Sequence, residues 1–457
     1  MGSKRKGRKQ VELLARIVFA LMVLATAVVI SAIVLLIRNP SSYKPSSGND
    51  FIQQSGREEP DTRSIVKEFQ ESGESSISET DIEEIEEFEE NLSEEQLVGR
   101  EDTPIKPAYN ETIEKMLSEM SLHDKICQMI LAAPETLTGV ETATAAGQMT
   151  QDALTEYPVG GVIFFSKNLV DSKQTENMIS NMQKYAAEYN GIGLFISVDE
   201  EGGKVTRVAQ KLGTTRLNPM YEYREQGTKA AYENAAFIAK DISQFGFNLD
   251  FAPVADTWSN SENTVIGDRA YSDDYEETAK LVASAVEGFH SENIMCTLKH
   301  FPGHGDTAED SHKGSAYVYK TLDELWDNEL LPFKAGIRAG ADMVMVGHIT
   351  VPEVDSLPAS LSSVIITDIL RGKLEYDGVV ITDSLSMNAL TDHYGTDKIA
   401  VMAVQAGNDL LLCQTGMKNM VRVLEDAVAN GEITEERIDE SVRRILELKY
   451  EYGLLTV

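Results

Sequence analysis

The stretch Lys299–His312, KHFPGHGDTAEDSH, holds three of the chain's seven histidines, His300, His304 and His312, beside Lys299 and the acids Asp306, Glu309 and Asp310. A structural loop does not need that composition, and three chemistries compete for it. Imidazoles and carboxylates could ligate a metal, but the helical H-E-x-x-H spacing is absent and no cysteine pair accompanies them. Bases among glycines could cradle a phosphate, but three acids stand between them. The third chemistry is proton transfer. Asp310 lies two residues before His312, and a carboxylate that accepts one imidazole N–H fixes the tautomer and raises the basicity of the other nitrogen. Gly303 and Gly305 flank His304 and permit a sharp turn and a close backbone approach.

A second carboxylate stands in VVITDSLSM, Val379–Met387. Asp383 follows Val379-Val380-Ile381 and precedes Leu385 and Met387, so it needs a partner or a purpose. It is a candidate nucleophile or metal ligand; the bland alternative is a helix N-cap, which Ser384 could also provide. Further polar groups end other apolar runs: Asp199-Glu200-Glu201 before two glycines, Asn248, Asp250 and Asp256, Lys299-His300, and Gly347-His348.

Eight short apolar runs position these groups: Cys127–Leu131, Gly161–Phe165, Gly193–Val198, Phe247–Val254, Met295–His300, Met343–Gly347, Gly378–Thr382 and Asp409–Cys413. Longer helical patterns separate them, such as SKQTENMISNMQKYAAEY and EETAKLVASAVEGFH, several ending near Gly as helix C-caps do. Nearly continuous apolar strands joined by helices predict a parallel sheet covered on both faces. Eight such units predict a (β/α)8 barrel, whose chemistry gathers where strands end and loops begin. An open doubly wound sheet is the alternative; no G-x-G-x-x-G follows a strand and no P-loop is present to favour nucleotide binding.

The remaining features bound the class. The net charge of -33 leaves no basic surplus for nucleic acid. Cys127, Cys296 and Cys413 sit far apart in apolar runs and read as small buried residues, not as a disulfide framework. Residues 1–16 are basic, and Ile17–Ile37 carries no charge. At ~1.5 Å per residue that run spans one hydrocarbon core, ~30 Å. It is longer than the apolar part of a cleaved signal peptide. The expectation is an uncleaved single-pass transmembrane helix, N-terminus cytoplasmic, the rest outside, with the lipid bilayer as a partner. Residues 38–108, rich in Ser and Glu, read as an acidic flexible linker, and residues 109–457 as the barrel.

The motif K-H-F-P-G-H-G-D-T followed by D-S-H strongly resembles glycoside hydrolase family 3, in its single-domain β-N-acetylglucosaminidase form. DEEGGKVTR (Asp199–Arg207), NLDFAPVADT (Asn248–Thr257), VIGDRAYSDD (Val265–Asp274) and VVITDSLSM match in order, so the resemblance covers the whole globular part. It implies a (β/α)8 barrel that releases non-reducing N-acetylglucosamine with retention. Asp383 would be the nucleophile and His312, oriented by Asp310, the acid/base. Asp199, Arg207, Arg269, Lys299 and His300 would bind the sugar, with neither metal nor cofactor. Two departures stand out. Lys204 occupies a position where the family often has Arg, and KGSAYVYKTLDEL follows D-S-H where many members have a Leu-Pro. Many members add a sandwich domain after the barrel; here the acid/base is expected from the barrel itself. A phosphorylase on the same fold and an inactive surface sugar-binding sensor are the other readings. Peptidoglycan-type fragments would be the substrate at the cell surface.

Overall fold

A computed structural model describes residues 107–307 and 314–456. The expected basic segment, the span at 17–37 and nearly all of the linker lie outside the described residues. Among the described residues no helix is long and apolar enough to cross a membrane.

Eight parallel strands form the centre: β1 (Ile130–Ala132), β2 (Gly161–Ile163), β3 (Phe195–Val198), β4 (Leu249–Asp250), β5 (Met295–Phe301), β6 (Met343–Val346), β7 (Val379–Thr382) and β8 (Leu411–Cys413). Each pairs with its sequence neighbour, and β8 returns to β1 in the register Ile130↔Leu411. The seam between β7 and β8 closes through a bridge of Ile381 to Leu410, and Thr382 N donates to Leu410 O at 3.0 Å. Every residue of these strands is buried, which is why they read as unbroken apolar runs rather than alternating ones.

Helices cover the outside. Ser172–Asn190 illustrates how the sequence specifies one: Asp171 caps its start by accepting from Gln174 N, Met178, Ile179, Met182 and Ala186 bury one face, and Gly191 ends it in the left-handed conformation, φ 75°. Helices Gly227–Ser243 and Tyr275–Ser291 pack so closely that a Cβ on Gly288 would lie 2.3 Å from Tyr232 O.

Two of the expected runs need correction. Cys127–Leu131 is divided: Cys127 and Gln128 end the helix Leu122–Gln128, which Ser121 caps by accepting from Asp124 N, and only the later residues enter β1. Both parts are buried, Cys127 and Gln128 as well as Ile130 and Leu131, so burial did not separate them in the sequence. Phe247–Val254 contributes Leu249–Asp250 to the continuous ladder; Pro253, with no N–H to give, interrupts it, and Val254 rejoins β5 through an isolated bridge to Lys299. The three cysteines are all buried and free.

Candidate active site

All six described candidates line one cavity of about 560 Å³: Asp199, Arg207, Arg269, Lys299, His300 and Asp383. They arrive from the ends of β3, β5 and β7 and from the loops after β3 and β4, the C-terminal end of the barrel. That volume suits one or two sugar rings. Ile163, Phe165, Leu412 and Met387 give it an apolar side. Asp310 and His312 lie outside the described residues.

The strongest feature is an ionic array. Lys299 Nζ donates to Asp199 Oδ1 at 2.8 Å and to Glu201 Oε1 at 2.6 Å. Arg269 grips the same Glu201 with two bonds, Nε to Oε2 and Nη2 to Oε1, both 2.8 Å, and its Nη1 donates to Val265 O at 3.1 Å. Burial alone would raise the Glu201 pKa, but Arg269 and Lys299 outweigh it and hold the carboxyl far below the usual range. Burial would likewise lower the Lys299 pKa, and Asp199 and Glu201 more than offset it, so Lys299 stays charged. An ammonium has three protons, and two are committed, which leaves one for a ligand. Glu201 was not among the expected site residues. The signal was present in Asp199-Glu200-Glu201: in extended chain, residues two apart share a face. Glu200, on the other face, accepts from the backbone N–H groups of Arg207, Val208 and Ala209 and anchors the following turn. Among the described residues no hydrogen bond or ion pair engages the Arg207 guanidinium, which faces the cavity.

His300 is oriented by Asp256, also missed as a site residue. Asp256 Oδ2 meets His300 Nδ1 at 2.7 Å, and Oδ1 accepts from His304 N at 2.6 Å. The carboxylate is wholly buried, yet the neighbouring imidazoles hold its pKa down against that burial. Nδ1–H is therefore spent on Asp256, and Nε2 is the nitrogen left to face a ligand. The glycines of the motif serve this packing. A Cβ on Gly305 would lie 1.6 Å from Thr257 O, and Gly303 adopts φ 125°. His304 itself is buried, and its Nδ1 meets Thr307 Oγ1 at 2.8 Å; it does not line the cavity.

Asp383 follows β7 directly. Its N–H donates to Val346 O at 2.9 Å, continuing the register with β6, and its Oδ1 accepts from Ser384 N at 2.6 Å. It is not a helix cap: the next helix, Asn388–Thr391, starts after Met387 with no side-chain cap. His348, one of the strand-end groups, does not reach the cavity. Its Nε2 must donate to Ser384 O (2.8 Å), since a carbonyl only accepts, and Nδ1 then accepts from Ser360 Oγ (2.8 Å). It is a positioning residue that pins the backbone just after Asp383. Asn248 is also structural, bonded to Ile196 N and Leu194 O. Asp250 is fully buried, and burial pushes its carboxyl well above the usual range. Lys204 lines the cavity and meets Asp268 Oδ1 at 3.3 Å, a loose, half-exposed pair instead of a planar fork.

The closed parallel barrel carries this carboxylate-bearing cavity at its C-terminal end, where barrel enzymes keep their active sites. Residues 121–448 match the family described as "Glycosyl hydrolase family 3 N terminal domain". The chain belongs to glycoside hydrolase family 3. It is 36% identical over 269 residues to the "Beta-hexosaminidase" of Stenotrophomonas maltophilia (strain R551-3), covering 57% of this chain and 78% of the relative. It is 32% identical over 324 residues to "Beta-hexosaminidase A" of Pseudoalteromonas piscicida, covering 65% of this chain but only 54% of that protein. A solved family 3 β-N-acetylglucosaminidase from Paenibacillus sp. str. FPU-7 superposes with a TM-score of 0.69 at 39% identity, over 73% of this chain and 63% of that one.

Proposed function

We propose that the protein is a retaining exo-β-N-acetylglucosaminidase. The observation that supports this most is the placement of Asp383, at the end of β7, in the wall of the cavity that also holds the Asp199–Lys299–Glu201–Arg269 array. The activities named for the hexosaminidase relatives and for the Paenibacillus structure point the same way. Asp383 attacks the anomeric carbon as the bond to the leaving oxygen breaks, and His312, oriented by Asp310, gives that oxygen a proton. Water then opens the glycosyl-aspartate and returns a proton to His312, which frees the β-sugar. Lys299, Arg207 and Arg269 donate to the sugar, Asp199 accepts from it, and His300 presents Nε2 to it. Histidine in place of a second carboxylate does not repel anionic cell-wall fragments of the peptidoglycan type, the substrate class we assign.

The first test compares nitrophenol release from the β-N-acetylglucosaminide and the β-glucoside by the full-length chain. Preference for the former, with kcat reduced about 10³-fold or more in Asp383→Asn, is the expected result. Wild-type rates in His312→Ala would move the acid/base role to the His300–Asp256 pair. Phosphate-dependent turnover yielding a sugar phosphate would favour a phosphorylase, and sugar binding without turnover a sensor.

We further infer that residues 17–37 anchor the enzyme in the membrane with the barrel outside, supported by the length of that uncharged run. The protein should stay in carbonate-washed membranes and be cleaved by protease added to intact cells. A soluble form with a new N-terminus beyond residue 37 would overturn the anchor.

A further inference from the structure

The cavity has two unlike sides. The ionic array and His300 come from the ends of β3 and β5 and from the loop after β4. The neighbours β7, β8, β1 and β2 supply the other side, with Met387, Leu412, Ile163 and Phe165. Gln414 also lines the cavity, directly after β8. Leu412 and Gln414 face it and Cys413 between them does not, the alternation of extended chain.

The backbone of β8 fixes where Gln414 enters. Leu412 N donates to Thr382 Oγ1 at 3.1 Å, and Leu412 O accepts from Leu385 N at 3.2 Å. Those bonds fall on either side of Asp383. Gln414 follows two residues on, roughly 6.6 Å farther toward the mouth, in the wall next to that of Asp383. Among the described residues no hydrogen bond engages its carboxamide, which offers both an acceptor oxygen and an NH2 donor. Ser384 and Ser386, the neutral polar side chains beside Asp383, meet each other, Oγ to Oγ at 2.9 Å.

We propose that Gln414 recognises the 2-acetamido group of the sugar and so sets the preference for N-acetylglucosamine over glucose. The proposal rests on the hydrolase reading, in which Asp383 attacks C1; the acetamido group is carried on C2, the adjacent carbon. Its methyl selects the side of the cavity. Against the ionic array the methyl would strip solvent from charges and give no hydrogen bond in return, whereas Ile163, Phe165 and Leu412 accept it without that cost. Its amide then needs a neutral partner there. The N–H and C=O of an acetamido group point opposite ways, so one carboxamide meets one of them: Oε1 accepts from the N–H or Nε2 donates to the C=O. A glucose 2-hydroxyl does not cover the apolar wall, and it leaves the carboxamide without the partner for which it is placed.

The test is the ratio of kcat/KM on the nitrophenyl β-N-acetylglucosaminide to that on the β-glucoside, measured on the full-length chain. Gln414→Met keeps the length of the side chain and removes donor and acceptor, and the ratio should fall about five- to tenfold. Both substrates are read on one preparation, so a loss of folded protein cancels. An unchanged or raised ratio overturns the assignment. Calorimetric titration of N-acetylglucosamine and of glucose into Asp383→Asn, with and without Gln414→Met, needs no turnover. If the wild type cleaves neither glycoside, the hydrolase reading fails, and the titration still decides. A Kd weakened more for N-acetylglucosamine than for glucose supports Gln414 as the reader of the acetamido group. Equal shifts, an unaltered Kd or no binding of N-acetylglucosamine overturns it.

Discussion

Glu201 answers to two cations and almost no water, and that makes it the most exposed point of the design to mutation. Gln at this position keeps the shape and removes the charge, so Lys299 and Arg269 would be left buried with only Asp199 between them. Removing one partner of a buried pair costs about 3–5 kcal/mol. Glu201→Gln should therefore lower Tm by several degrees and reduce kcat/KM on the aryl glycoside about 10²-fold, read by thermal unfolding and steady-state kinetics. Asp199→Asn, whose side chain is partly exposed, should cost less stability. Equal losses of Tm would mean that Glu201 is no more central to the array than Asp199. The pH dependence follows in sign. The folded Glu201 pKa lies below its unfolded value of 4.5, so its contribution is complete above that value and is lost as pH falls toward the folded pKa.

At the scale of elements, the helix Glu435–Glu451 carries a buried lysine that meets no carboxylate among the described residues. Lys449 Nζ donates to Gln128 Oε1 at 2.7 Å and lies 5.0 Å from the Phe195 ring centroid. Burial drives its pKa well below the ordinary 10.5, so between the two values the unfolded chain binds a proton that the folded chain does not. Stability then rises with pH between the folded pKa and 10.5. Lys449→Met should raise Tm at pH 7, with the gain shrinking toward pH 10; a gain independent of pH would mean that Lys449 is charged when folded. Elements were legible where one physical demand shaped them. Eight strands buried on both faces left eight apolar runs. The demand was mixed at Cys127–Leu131, where helix and strand bury alike, and the boundary vanished. Site residues followed the same rule: Asp383 was visible as a lone carboxylate after Ile381. Asp256, by contrast, acts through His300, forty-four residues away, and nothing local in the sequence records that contact.

Across the whole chain, an excess of acids gives a charge of -33. The array in the cavity is assembled from two carboxylates and two cations, Asp199, Glu201, Lys299 and Arg269, each within hydrogen-bonding distance of another. The four formal charges cancel, so toward a ligand in the cavity these side chains act through short-range dipoles. Mobile ions screen monopoles over about 10 Å at 0.1 M salt, but they act far less on buried contacts of under 3 Å. The contribution of these four side chains to holding an uncharged sugar would thereby be decoupled from the ionic medium. The share of binding that these four side chains supply would be as firm in brine as in fresh water, and any salt dependence would point to charged groups of the cavity outside the array, such as Arg207.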